Sequence, residues 1–70
     1  MTVVHGVVTN FDDARGDGTV RDGEGRDYYV HCVDIGDGSR TIAVGTAVAF
    51  VPQVGHLGRD EASDVQSVAS

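Results

Sequence analysis

The sequence predicts an all-β domain, a small five-stranded antiparallel barrel. Three observations carry that prediction. The 70 residues include ten glycines, one proline, many valines and few good helix formers, which suits short strands joined by tight turns. Apolar residues alternate over short runs, and no stretch repeats them at spacings of three and four over helical length. Clusters of Asp and Gly separate the runs, where turns are needed.

The first strand is expected over about 3–11, with Val4, Gly6 and Val8 on one face and His5, Val7 and Thr9 on the other. Asp12-Asp13-Ala14-Arg15-Gly16 forms the turn. The second strand covers about 16–22, with Gly18 and Val20 inward and Asp17, Thr19 and Arg21 outward. Asp22-Gly23-Glu24-Gly25 is a tight-turn signal, since Gly and Asp tolerate positive φ. The third strand, about 26–32, turns Tyr28 and Val30 inward and Asp27, Tyr29 and His31 outward.

A longer connection follows over 33–45, with its tip at Gly36-Asp37-Gly38 and anchors at Ile35 and Ile42. The fourth strand runs over about 47–51 with Val48 and Phe50 inward, and Pro52 marks its end or an edge. Gly55-His56-Leu57-Gly58 makes the last loop. The fifth strand, about 61–68, carries Ala62 and Val65, and Ala69 and Ser70 fray. A three-strand meander followed by a long third-to-fourth connection fits a closed barrel of OB type, whose closure removes exposed edges. The expected core is Val8, Val20, Tyr28, Val30, Ile35, Ile42, Val48, Phe50 and Val65. It is slim for a single domain spanning 1–70 with an ordered part of about 3–68. Val30→Ala is expected to cost about 2 kcal/mol or more.

Bulk properties narrow the function. The lone Cys32 excludes an internal disulfide, no apolar run approaches the roughly 18 residues of a membrane span, and no leader pattern is present. A cytoplasmic monomer that makes no membrane contact is the expectation. The net charge of −6 opposes free-standing electrostatic attraction to nucleic acid, although local charge on a binding face matters more than the sum. All five basic residues are arginine.

Three runs follow one another in a telling order. They are Gly6-Val7-Val8-Thr9-Asn10-Phe11-Asp12, Arg15-Gly16-Asp17-Gly18-Thr19-Val20 and Asp27-Tyr28-Tyr29-Val30-His31. The order resembles the cold-shock domain family, whose pattern reads roughly Gly-x-Val-Lys-Trp-Phe-Asn, Lys-Gly-Phe-Gly-Phe-Ile and Asp-Val-Phe-Val-His-Phe. The resemblance covers about 4–65, with one extra residue within 58–61 relative to the family's Gly-Pro-Gln-Ala spacing. It implies an OB-fold that binds single-stranded RNA or DNA by stacking bases on aromatic rings. The acidic balance does not exclude this, because small members of the family are often acidic overall.

The carry-over of the stacking face is partial. The family's Lys-Trp pair becomes Thr9-Asn10, and its two strand-two phenylalanines become Asp17 and Thr19. On the third strand Tyr29 keeps a ring, His31 is retained, and the following Phe becomes Cys32. The long-loop Phe becomes Ser39, with Arg40 keeping a cation beside it. Each stacked base is worth roughly 1–3 kcal/mol, so losing the rings at Asn10, Asp17, Thr19, Cys32 and Ser39 removes most of a micromolar binding energy of about 8 kcal/mol. The candidate nucleic-acid-binding residues that remain are Tyr29 and His31, helped by Phe11, whose ring is expected half-buried beside the turn, and by Arg15, Thr19 and Arg40. Arg21 is a further possible helper.

Other chemistry finds little support. His5, His31, Cys32 and His56 lack the close pairs typical of zinc sites, and no Asp-Gly cluster matches a calcium loop, so no metal or cofactor is expected. Cys32 reads as a small half-buried hydrophobe, with His31 expected on the opposite face. Arg15-Gly16-Asp17 spells an adhesion tripeptide by coincidence. No nucleophile, base and orienting group assemble, so the chain reads as a binding domain and not as an enzyme. Two functions follow: weak contact with single-stranded nucleic acid, or an OB-type module that contacts a protein through its acidic, glycine-rich face. Asp17 and the missing rings favour the second, and the spacing from Gly6 to His31 favours the first.

Overall fold

In the computed structural model, which describes residues 2–36, 41–55 and 58–68, the strands close into a barrel. They are β1 (Val4–Asp12), β2 (Asp17–Asp22), β3 (Asp27–His31), β4 (Ala47–Val54) and β5 (Asp60–Ser67). Around the barrel their order is β1-β2-β3-β5-β4. One turn of 3-10 helix, Cys32–Asp34, follows β3. Asp37-Gly38, Ser39, Arg40, His56-Leu57 and Ala69-Ser70 lie outside the described residues. No helix among the described residues is long and apolar enough to cross a membrane.

The barrel is mixed and not purely antiparallel. β1 pairs antiparallel with β2 and β4, as do β2 with β3 and β4 with β5, but β3 and β5 run parallel through Tyr29 and Glu61. The cause is arithmetic. A closed ring with an odd number of strands cannot alternate direction all the way round, so at least one neighbouring pair must run parallel. A second parallel bridge, Ile35 to Val65, seals the same seam.

Two irregularities re-aim side chains. On β1 the register shifts between Val8 and Asn10, leaving Thr9 unpaired. The extra residue turns both Val8 and Phe11 inward, three positions apart, and puts Asn10 and Asp12 outside. On β5 the register shifts opposite Phe50, and Asp64 takes φ +50°. That bulge lets Ala62 and Val65 both reach the core. β4 continues through Pro52 to Val54, past the end expected at Val51. Beyond Phe50 it pairs with β5 alone, so the missing proline donor is tolerated on an edge.

The core is Val8, Val20, Tyr28, Val30, Val48, Phe50, Ala62 and Val65, with Ile35 also buried. Val4, Phe11 and Ile42 pack against it half-buried, so Ile42 is a flanking residue where a core residue was expected. Val30 is fully buried, and the loss of about 2 kcal/mol or more on Val30→Ala holds for this packing. An unchanged denaturant midpoint in that variant contradicts the inward placement.

Asp22 organises the β2–β3 hairpin that presents the outer face. Its Oδ1 accepts the N–H groups of Glu24 and Arg26, each at 2.9 Å, and its Oδ2 accepts the Tyr28 hydroxyl at 3.2 Å. Gly25 closes the turn at φ +85°, a conformation that favours glycine. The Arg26 N–H leads the contacts that lower the Asp22 pKa, and the Arg21 guanidinium at 2.8 Å lowers that of Asp27. Both carboxylates therefore stabilise the fold above the ordinary carboxylate range. That contribution is lost as pH falls through their depressed folded values. Thermal melts are expected to fall on acidification into that range, and Asp22→Asn is expected to flatten the fall. An equal fall in the variant contradicts the role given to Asp22.

Candidate nucleic-acid interface

The β2–β3 register builds the outer face in rows. Asp17 stands opposite His31, Thr19 opposite Tyr29, and Arg21 opposite Asp27, while Asn10 of β1 extends the Thr19 row. Tyr29, His31 and Thr19 are half-buried and share this face as expected. Phe11 does not join them. The β1 bulge turns it into the Gly18–Val30 row, where its ring packs against the core.

Asp17 is the largest departure from the sequence reading. It lies on the outer side of β2, yet it is only 9% exposed. The Tyr29 hydroxyl donates to its Oδ2 at 2.8 Å, and Arg15 pairs with the same oxygen at 3.1 Å. The carboxylate that stands in place of a family ring is therefore covered and compensated by its neighbours. The same bond, ahead of burial, raises the Tyr29 phenol pKa. Arg15 remains 71% exposed at the rim while it holds this pair.

His31 ends β3 and caps the 3-10 turn. Its Nδ1 accepts the Val33 N–H at 3.3 Å, which leaves Nε2 to carry the proton of the neutral ring. Because the strand stops there, Cys32 no longer alternates away, and its Sγ lies 3.9 Å from that Nδ1. The opposite-face expectation for this pair fails for that reason. Among the described residues no three His, Cys, Asp or Glu side chains gather as a metal site. A small open cavity of about 180 Å³ lies among Val3, Ala49, Val51, Asp64 and Gln66, and no candidate binding residue lines it.

Arg59 was missing from the sequence reading. Its guanidinium carbon stands over the Tyr29 ring, 4.3 Å from the centroid. The signal that pointed there was the extra residue within 58–61, at the entry to β5. Arg40 lies outside the described residues, so its place relative to this face is not described.

This barrel and its strand order are those of an OB-type fold. The solved structure of drosophila Unr CSD456 superposes with a TM-score of 0.80 at 20% identity, covering 97% of this chain and 27% of that one. This chain thus spans about a quarter of the length of its structural relative. No protein-family model matches the chain, and no curated protein matches it.

Proposed function

We propose that the domain is a nucleic-acid-binding module that contacts single-stranded RNA or DNA weakly through the outer face of β2 and β3. One observation carries the reading. The register sets Tyr29 and His31 in neighbouring rows of one face, and the Asp17 carboxylate between them is taken up by the Tyr29 hydroxyl and Arg15. His31 offers Nε2–H to a base edge or phosphate, Thr19 a hydroxyl, and Arg15 a cation. With the other ring positions held by Asn10, Asp17, Thr19, Cys32 and Ser39, the affinity is low and salt-sensitive. The module needs no catalytic group and acts as a monomer.

A fluorescently labelled oligothymidine is expected to give saturable anisotropy at low salt that disappears as salt rises. No saturable binding up to near-millimolar protein overturns the reading. A second reading, a module that contacts a protein, is favoured by one observation: the Tyr29 ring is already covered by Arg59. Affinity capture that returns nucleic acid and no protein counts against it.

A further inference from the structure

We propose that Arg59 is a base-contacting residue of this face, its guanidinium forming the plane on which a nucleobase stacks while the Tyr29 ring backs it from beneath. The inference rests on the single-strand reading above and names the group that replaces the missing rings.

The contact distance of 4.3 Å lies well inside the roughly 6 Å reach of a cation–π interaction. Tyr29 is not free to swing out from under it. Its backbone is locked in β3, and its hydroxyl is held at 2.8 Å by a carboxylate that Arg15 also grips. A base arriving from solvent therefore meets the guanidinium before the ring.

Arg59 is itself exposed, and the presenting backbone is anchored. The Gly55 N–H donates to the Arg59 carbonyl at 2.8 Å across the neck of the last loop, and β5 begins at the next residue. Among the described residues the ion pairs are Arg15–Asp17 and Arg21–Asp27, so no described carboxylate within 4.0 Å draws the Arg59 charge away. A guanidinium is planar and weakly hydrated, and it stacks on bases as it does on aromatic rings. It also keeps N–H groups at its edge for a phosphate or a base acceptor. Arg59 thus supplies a flat surface over Tyr29, on the face whose ring positions are held by Thr19 and Asn10.

The test titrates labelled oligothymidine at low salt into the unchanged chain, Arg59→Lys and Arg59→Ala. Both variants alter an exposed side chain, so the barrel stays folded. Each is expected to lose about tenfold in affinity, and lysine fails to rescue although it keeps the charge. In the unchanged chain the Arg59 Nε–H resonance is expected to shift on saturation, as ring current from the stacked base reaches it. Full rescue by lysine makes Arg59 a mere phosphate charge, and alanine binding as well or better makes it a cover over Tyr29. Either result overturns the proposal and leaves the single-strand reading standing. Absence of binding by the unchanged chain overturns both.

Discussion

Phe50→Ala is expected to unfold this domain. Phe50 is 1% exposed, meets Tyr28 edge-on at 4.9 Å between centroids, and sits where the β5 bulge brings Val65 into the core. Truncating a buried Phe costs about 3–5 kcal/mol, and the lost aromatic pair adds about 1 kcal/mol. A domain of this size has a total stability of about 4–10 kcal/mol, and a slim core puts it near the bottom of that range. Far-ultraviolet circular dichroism of the variant at 25 °C is expected to show a largely unfolded chain. A melting temperature within a few degrees of the parent's contradicts the placement of Phe50 at the centre of the core.

Gly18→Ala is the second large effect, and its cause is steric. Gly18 lies between Phe11 and Val30 in the ladder, directly behind the β1 bulge. A Cβ there meets the Asn10 carbonyl oxygen, the Phe11 Cα at 2.7 Å and the Phe11 ring at 2.8 Å. Two of those neighbours are backbone, so β1 must move away from β2, at a cost of about 3 kcal/mol. Gly23→Ala serves as the control, because a Cβ at Gly23 has nothing within 4 Å. Urea midpoints are expected to fall sharply for Gly18→Ala and to stay near the parent's for Gly23→Ala. Equal midpoints contradict the close approach of β1 and β2.

The sequence was most legible where alternation is strict. β2 and β3 pair without a register break, so Val20, Tyr28 and Val30 inward, and Thr19, Tyr29 and His31 outward, follow from a period of two. It was least legible where one extra residue changes the facing. Nothing in Val8-Thr9-Asn10-Phe11 announces the bulge that sends Phe11 to the core, and Asp64 hides a second one. The parallel seam between β3 and β5 follows from closing an odd number of strands, which local pattern does not encode.

The candidate site was half visible. Tyr29 and His31 stood out by their spacing, because both lie on one strand. The burial of Asp17 depends on a hydroxyl arriving from the neighbouring strand, and the Arg59–Tyr29 contact joins residues far apart in sequence across that same seam. Alternation within a strand reports which way a side chain faces. It does not report what a neighbouring element lays over it.

The most direct test of the outer face of β2 and β3 as a binding surface is a two-dimensional amide NMR titration with a short oligothymidine in low salt. Concerted, saturable shifts are predicted at Thr19, Tyr29, His31 and Arg59, with Val48 and Phe50 of the core unmoved. Silence across that face in a folded sample, or shifts confined to β4, contradicts the account and turns the search to a protein partner.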